Sequence, residues 1–201
     1  MTKQPDGTDR GALRDEEILA ATVGASPLLN APITLVDYDP EWPGMFAREE
    51  QRIRGALGES VVLLEHCGST SVPGLAAKPI IDMVLVVPDS ADEASYLPQL
   101  ESAGYVLRIR EPDWYEHRVF KGPEVNVNLH VFSPGCAEVE RMLLFRDTLR
   151  SNDAERIAYE QTKRALAAQT WRYVQNYADA KTEVVEAIIA RAGDAQNTKR
   201  R

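Results

Sequence analysis

Residues 65–82 read EHCGSTSVPGLAAKPIID, and this stretch decides the fold. A loop of small residues here joins an apolar run at residues 61–64 to a second apolar run at residues 79–87. The second run is apolar on both faces, which predicts a strand in the centre of a sheet. Asp82 lies inside this run, where a carboxylate is costly unless it is paired or bound to a metal. The stretch therefore predicts a phosphate or metal site beside Asp82.

The loop itself has the composition of an anion-binding site. Gly68 and Gly74 permit backbone angles that other residues resist, and successive N–H groups in such a loop can form an anion-binding nest. The Gly-Lys-Ser/Thr ending of a P-loop is absent. The predicted phosphate contacts are Gly68, Ser69, Thr70 and Ser71, with Lys78 as the cation. The alternatives are a tight turn with capping serines and an Asp82 that is exposed or paired with Lys78 or Arg118.

Composition and net charge indicate which kinds of molecule the protein could bind. The 201 residues predict one domain, and 44% hydrophobic with 27% charged content is typical of a globular protein. A net charge of -8 argues against broad nucleic-acid binding but permits a small anionic metabolite or nucleotide in a local basic pocket. No apolar run approaches the roughly 20 residues of a membrane span. A cytoplasmic protein is the simplest interpretation, and the oligomeric state stays open, a homodimer included.

The order of the predicted elements indicates an α+β fold, in which a mixed sheet is flanked by helices and followed by a C-terminal helical region. Residues 1–30 are expected to form a flexible extension with a short helix at 15–23, and residues 194–201 a polar tail. The domain proper, residues 31–193, divides into a sheet-containing part at 31–134 and a helical part at 135–193. The predicted strands are 33–36, 61–65, 79–87, 105–110, 117–121 and 125–132. The predicted helices are residues 41–57, 92–103, one that includes 139–149, 153–168, and one long helix over about 171–192. For the first of these, Asp39 is the predicted cap and Pro40 the predicted first position.

The last predicted strand carries a polar face. Val125, Val127, Leu129 and Val131 alternate with Asn126, Asn128, His130 and Phe132, so two amides and an imidazole stand in a row. A solvated edge strand gives the same pattern. His66 lies at the end of the first apolar run, beside the loop, and together with His130 it is a candidate general base or phosphate contact. His117 has the weaker case, because we expect it to begin an edge strand.

Further cations come from the predicted C-terminal helices. Arg146 and Arg150 lie one helical turn apart with Asp147 between them. They predict either an arginine clamp on a carboxylate or phosphate, or a salt-bridge cluster between helices. Lys163, Tyr177 and Lys181 would follow from the next helices, with both lysines as candidate phosphate contacts. Cations gathered at one cleft of an acidic protein would indicate an anionic ligand.

These residues resemble two related groups of proteins. A Gly68-Ser69 loop followed by an aspartate on the next strand is similar to the signature of polymerase-β-type nucleotidyltransferases. More closely, the chain resembles the GrpB family over about residues 33–192. Matching segments are residues 38–43, 65–82, 129–131 and 145–150, with the Tyr177/Lys181 pair. The resemblance implies a nucleotidyltransferase-like fold and, in some family members, fusion to dephospho-CoA kinase.

The resemblance to nucleotidyltransferases also implies a metal site, and this chain departs from it. There, the loop holds nucleotide phosphates and acidic residues on adjacent strands bind two Mg2+ ions. The second acid usually lies two residues after the first, where this chain has Val84. The metal ligands expected here are Asp82, Asn128, His130 and Glu65. One metal, a different metal bound through His130, or phosphate binding without the usual chemistry all remain open.

The leading functional expectation is an enzyme that uses ATP or another nucleoside triphosphate with Mg2+. It would transfer a nucleotidyl group or adenylate a carboxylate, with amide ligation as a further variant. Asp82, His130 and His66 are the expected catalytic residues. The alternative is a non-catalytic module that binds a nucleotide or a CoA-like metabolite, or that acts as an accessory to a partner enzyme.

Overall fold

A five-stranded mixed sheet organises the molecule. The computed structural model describes residues 12–25 and 28–199, and the side chains as far as residue 194. Within these residues the strands are β1 (Leu63–Cys67), β2 (Ile81–Val86), β3 (Val106–Glu111), β4 (His117–Lys121) and β5 (Val127–Phe132). Their order across the sheet is β1-β2-β5-β4-β3, and only β2 and β5 run parallel. The predicted α+β class is confirmed.

Helices cover both faces of this sheet. They are α1 (Asp15–Ala21), α2 (Trp42–Leu57), α3 (Leu97–Ser102), α4 (Ala137–Ser151), α5 (Asp153–Ala167), α6 (Val174–Asp179) and α7 (Thr182–Lys199). On one face, Met83 and Leu85 of β2 pack in a core with Ile53 of α2. On the other face, Val84 packs with Val139 of α4. Strand β2 is thus buried on both faces, as its apolar run predicts.

The structure differs from the sequence prediction in the segment before α2, where contacts with other segments decide the conformation. The predicted strand at 33–36 is wrong: Val36 makes only an isolated bridge to Ala77, and Ile33 packs beside the C-terminal helices. The predicted Asp39 cap is also wrong, because α2 begins at Trp42 and the Asp39 carboxylate accepts a hydrogen bond from the backbone N–H of Glu41.

The predicted long helix over about 171–192 is two helices. Trp171 lies outside both, bridged to Ala31, and the chain breaks between α6 and α7 at Ala180 and Lys181. The apolar spacing continues across this break, so periodicity could not reveal it. The predicted helix at 92–103 is also divided. A separate 3-10 turn at Glu93–Ser95 precedes α3, which begins at Leu97.

Two strand positions also differ from expectation. Strand β4, which begins at His117, lies between β5 and β3 and is no edge strand. Strand β5 lies between β2 and β4, so its row of Asn and His side chains does not face open solvent from a sheet edge.

The N-terminal segment contacts the sheet where it is described. In α1, Ile18 is buried, and Thr22 pairs with Ile109 of β3. The expectation of flexibility falls partly on residues 1–11, which lie outside the described residues, as do the last two residues of the polar tail. The domain boundaries at residues 30 and 193 stay predictions. None of the described helices combines the length and the apolar character that crossing a membrane requires.

Candidate functional site

Asp82 lies in a polar row that crosses four strands. Strand register aligns Lys121, Asn128, Asp82 and Cys67. Lys121 Nζ donates to Asn128 Oδ1 at 2.5 Å, and Asn128 Nδ2 donates to Asp82 Oδ1 at 2.7 Å. Because an ammonium group can only donate, it fixes which end of the Asn128 amide faces the carboxylate. Asp82 is therefore held by an amide rather than by Lys78 or Arg118; the Arg118 guanidinium binds Glu93 and Glu116 instead.

The loop after β1 lies directly against Asp82. Gly68 has φ 67° and ψ -174°, a region that is essentially restricted to glycine. A Cβ at this position would lie 2.7 Å from Asp82 Cβ, so only glycine allows the loop to approach this closely. Residues Ser69–Ser71 then form one 3-10 turn.

Two of the three loop hydroxyls hold the loop together. Thr70 Oγ1 donates to the carbonyl of Ile80 at 2.9 Å and lies 3.1 Å from His66 Nε2, while Ser71 Oγ donates to the carbonyl of Gly68 at 2.6 Å. Thr70 and Ser71 are both buried. Ser69, whose hydroxyl neighbours Tyr159, is the loop hydroxyl best placed for a ligand. Thr70 and Ser71 therefore act as the capping residues of a tight turn, whereas Gly68 and Ser69 stay candidates for the anion site.

A cavity of about 290 Å³ opens beside Asp82. Its walls come from the loop, from the polar face of β2 and β5, and from the C-terminal helices. The lining includes most of the predicted site residues: Gly68, Ser69, Thr70, Lys78, Asp82, Asn128, His130, Lys163 and Lys181. Residues separated by more than 100 positions in the chain therefore meet at one site.

Three lysines form the cationic wall of this cavity. Burial lowers the pKa of Lys163 to about 7 and that of Lys78 to about 8, and it also lowers the pKa of Lys181. Lys163 Nζ donates to the carbonyl of Ala76 at 2.6 Å. Within the described part of the chain, no salt bridge joins these three lysines to a carboxylate. Asp82 is the one carboxylate among the described residues that line this cavity, so three lysines leave an excess of positive charge there, which favours an anionic ligand.

Tyr177 lies between two of these ammonium groups. Lys181 Nζ is 4.6 Å and Lys78 Nζ 5.4 Å from the centre of its ring, within cation–π range. The ring is 1% exposed, and among the described residues its hydroxyl has no hydrogen-bond partner. Tyr177 of α6 and Lys181, in the turn between α6 and α7, line the same cavity.

His130 lines the cavity and is linked behind it to two further polar side chains. His130 Nδ1 lies 3.0 Å from His117 Nε2, and His117 Nδ1 lies 2.7 Å from Glu111 Oε2. Burial lowers the pKa of His130 to about 4, so its ring is neutral at pH 7. His117 is thus linked to the site, although the expected edge-strand position made it the weakest of the three histidine candidates.

The predicted arginine clamp does not line the cavity. Arg146 donates to the carboxylate of Glu65 at 2.8 Å and to the carbonyl of His66 at 3.0 Å, and it also pairs with Asp147. Arg150 Nε donates to the carbonyl of Ser71 at 2.9 Å. The two arginines therefore brace the outer side of the loop, and their ion pairs lie within α4 and with Glu65 of β1 rather than between helices. Their roles and that of Glu65 in ligand binding stay predictions.

His66 also stays outside the cavity lining. Its ring stacks on Phe46 at a centroid distance of 4.9 Å, and burial lowers its pKa to about 4. Since Thr70 Oγ1 donates to Ile80, it receives its second hydrogen bond from His66 Nε2–H. His66 is thereby a brace for the loop, and its predicted catalytic role is untested.

Sequence reasoning missed Lys121, which supports Asp82 through Asn128. Its only signal was alternation along β4, where Lys121 shares a face with Val119 and His117. The polar row became visible only when strand order placed β4 beside β5.

Val84, which stands at the position of the second acid, also has apolar surroundings in the structure. Val84 is fully buried and packs with Cys67, Val86 and Phe132. In the part of the chain that the structure describes, no group of three or more His, Cys, Asp or Glu side chains could hold a metal ion.

Comparison with known proteins decides the family. Residues 32–191 match the family described as GrpB protein. The chain belongs to the GrpB family. A solved GrpB structure from Enterococcus faecalis aligns with a TM-score of 0.70 at 30% identity, over 79% of this chain and 96% of that chain. The nucleotidyltransferase-like fold implied by residues 65–82 is confirmed.

Relatives of this GrpB chain include proteins of similar and of greater length. A UPF0157 protein of Halalkalibacterium halodurans is 56% identical over 192 residues, which is 96% of this chain and 98% of that protein. A dephospho-CoA kinase of Mycolicibacterium paratuberculosis is 27% identical over 172 residues, which is 73% of this chain and 42% of that protein. The GrpB similarity therefore covers less than half of the latter.

Proposed function

We propose that this protein is a nucleotide-dependent transferase that binds a nucleoside triphosphate with Mg2+. It transfers a nucleotidyl group to an acceptor or adenylates a carboxylate. One observation carries the proposal: the glycine loop packs against Asp82 on the central strand, and both line a cavity with three lysines that form no salt bridge to any described residue. A phosphate chain needs backbone and hydroxyl donors with cations nearby, and this cavity supplies all of them.

The size of the cavity indicates which part of the nucleotide it would hold. Small-molecule sites usually enclose roughly 300–1,000 Å³. At about 290 Å³, this cavity accommodates the phosphates, and the nucleoside would extend through its opening. Ser69 and the loop N–H groups would contact the phosphates, while Lys78, Lys163 and Lys181 would neutralise their charge.

The donor set fits Mg2+ that arrives with the nucleotide, but not a resident pair of metal ions. Asp82 Oδ1 accepts from Asn128, which leaves Oδ2 for a cation, and the Asn128 oxygen is occupied by Lys121. Mg2+ commonly binds one or two carboxylates together with substrate phosphates and water. When bound, the ion would offset negative charge on the phosphates.

The proposed reaction uses the remaining side chains for positioning and charge. An oxygen or nitrogen of the acceptor attacks the α-phosphorus, and the bond to the β-phosphate breaks. Pyrophosphate leaves with additional negative charge, which the lysine wall would stabilise. Lowered pKa values mean that Lys163 is partly neutral at pH 7 in the free protein, and an anionic ligand would restore its charge.

A second candidate function is binding without turnover, as a module for a nucleotide or CoA-like metabolite. It is favoured by the buried Val84 at the position of the second acid and by Asp82 being the one carboxylate among the described residues that line the cavity. The lysine wall serves this function equally well.

Calorimetry with ATP and Mg2+ tests the shared step. We expect wild type to bind, Asp82→Asn to lose Mg2+-dependent affinity about tenfold or more, and Lys181→Met to bind more weakly with or without Mg2+. Asp92→Asn is the matched control, because Asp92 is exposed and caps no helix through its side chain. Absence of wild-type binding to ATP, to the other nucleoside triphosphates and to CoA would refute both candidates.

Release of pyrophosphate separates the two candidates. Wild type is incubated with ATP, Mg2+ and a panel of carboxylates, amines and alcohols. Release that depends on an acceptor and is lost in Asp82→Asn supports the transferase. Tight ATP binding with no release across the panel supports the binding module.

A further inference from the structure

Lys78 and Lys181 reach one aromatic ring from distant parts of the chain. Lys78 lies in the segment before β2, and Lys181 lies in the turn between α6 and α7. Their ammonium nitrogens are 5.4 Å and 4.6 Å from the centre of the Tyr177 ring. All three residues line the cavity beside Asp82. Two side chains of the same charge are thus gathered at one wall of the site.

Two ammonium groups at one ring repel each other, and the ring offsets this repulsion. Burial, and after it the charge of Lys181, lower the pKa of Lys78 to about 8. Among the described residues, neither ammonium group has a hydrogen bond or a salt bridge. The face of an aromatic ring carries negative charge density and attracts cations within about 6 Å of its centre. The Tyr177 ring therefore contacts both cations and favours their charged forms.

The rest of the cavity indicates which ligand charge suits this pair. Lys163 donates to the carbonyl of Ala76, and Asp82 is the one carboxylate among the described lining residues. With its three lysines charged, the cavity lining therefore has an excess of two positive charges. A phosphate monoester carries nearly two negative charges above about pH 6, whereas a phosphate diester or a carboxylate carries one. In a nucleoside triphosphate, the terminal phosphate is the group of the first kind.

We propose that Tyr177 is a positioning residue whose ring holds Lys78 and Lys181 together as a clamp for a doubly charged phosphate group. The proposal rests on the proposed function for its substrate: in a nucleoside triphosphate the clamp binds the terminal phosphate, which departs as part of pyrophosphate. A singly charged inner phosphate or carboxylate leaves one ammonium group unmatched. Tyr177 acts through the two lysines rather than by a contact of its own hydroxyl with the ligand, because that hydroxyl is buried.

Titration with small phosphate esters tests the selectivity of the clamp without a nucleotide. Methyl phosphate is doubly charged at about pH 8, and dimethyl phosphate is its singly charged counterpart of similar size. Binding is followed by nuclear magnetic resonance in the absence of Mg2+. We expect wild type to bind methyl phosphate at least about tenfold more tightly than dimethyl phosphate or acetate. Equal affinity for the monoester and the diester, or no binding of methyl phosphate, overturns the proposal.

Variants of Tyr177 test the role of the ring, with pyrophosphate as the probe in calorimetry. Tyr177→Phe keeps the ring and is the conservative variant, whereas Tyr177→Leu removes the face that attracts the two cations. We expect Tyr177→Phe to bind pyrophosphate within about twofold of wild type, and Tyr177→Leu to bind it about tenfold or more weakly. A loss in Tyr177→Phe as large as that in Tyr177→Leu, or no loss in Tyr177→Leu, overturns the positioning role.

A double-mutant cycle on the two lysines gives a second test, which holds even if Tyr177→Leu does not fold. If one phosphate group binds both ammonium groups, Lys78→Met and Lys181→Met each weaken methyl phosphate binding, and the double variant loses less than the product of the two single losses. Losses that multiply would overturn the clamp.

The same titrations separate the clamp from the proposed function. If wild type prefers methyl phosphate to dimethyl phosphate but binds no nucleotide and no CoA, the clamp is supported and the proposed function fails. If wild type binds ATP without preferring the monoester to the diester, the clamp alone fails.

Discussion

Replacement of Gly68 by alanine should be unusually destabilising for a loop position. Gly68 adopts φ 67° and ψ -174°, and a side chain in this region costs roughly 1–3 kcal/mol in backbone strain. The added Cβ would lie 2.7 Å from Asp82 Cβ and 2.9 Å from Asp82 Cγ, whereas carbon atoms prefer about 3.5–4.0 Å. Overpacking of this kind costs a further 1–3 kcal/mol or so. The expected loss is therefore about 2–6 kcal/mol in the free energy of unfolding.

Gly74→Ala in the same loop is the matched control. Gly74 also has a positive φ, 77°, but a Cβ there would meet nothing within 4 Å. Its cost is backbone strain alone, about 1–2 kcal/mol. Urea unfolding followed by circular dichroism gives both values. We expect Gly68→Ala to exceed Gly74→Ala by about 1–3 kcal/mol, and this difference measures the contact with Asp82.

ATP binding adds a second readout to the same pair. Gly68→Ala should displace the Asp82 carboxylate and weaken Mg2+-dependent ATP binding even where the variant is fully folded, whereas Gly74→Ala should bind more nearly as wild type does. Equal losses of stability in the two variants, within about 0.5 kcal/mol, would show that the close approach of loop and strand is not what requires glycine at position 68.

Three further predictions concern buried titratable and hydroxyl groups. The pKa values of His66 and His130 lie near 4, below the ordinary 6.5, so the unfolded chain binds more protons between these values. Stability measured by urea unfolding should therefore fall as the pH drops from about 6.5 to 4, and a flat profile would contradict the burial of both rings. The pKa of Lys163, about 7 instead of 10.5, gives stability that rises between about pH 7 and 10.5, and Lys163→Met should reduce that slope. Tyr177→Phe should leave stability unchanged or higher because no described residue hydrogen-bonds to its hydroxyl, whereas Tyr96→Phe, which loses a 2.7 Å hydrogen bond to a carbonyl, should cost about 1 kcal/mol.

Local sequence patterns predicted a strand correctly where the strand is buried on both faces or where apolar and polar residues alternate along it. The doubly apolar run at residues 79–87 predicted a central strand, and β2 is central and buried on both faces. Strict alternation predicted the strand that became β5. Such signals succeed because burial and pleating act on neighbouring residues of one segment.

The same reasoning failed where a distant segment decides the local structure. Residues 33–36 have the apolar character of a strand, but within the described part of the chain only Val36 pairs, in an isolated bridge to Ala77. The apolar spacing of residues 171–192 is helical throughout, yet the chain breaks at Ala180 and Lys181. Sequence spacing predicts which residues could share a face, whereas the partner that covers this face is set by the rest of the fold.

The sequence by itself determined the sheet's central strand, the glycine loop and the position of Asp82 after it, because these depend on burial and backbone angles within about 20 residues. Only the tertiary structure decided which cations surround Asp82. Arg146 and Arg150 brace the outside of the loop, while Lys78, Lys163 and Lys181 line the cavity. The physical reason is that the direction of a helical side chain is fixed by how its helix packs on the sheet and on the other helices, a long-range outcome that periodicity within one helix does not contain.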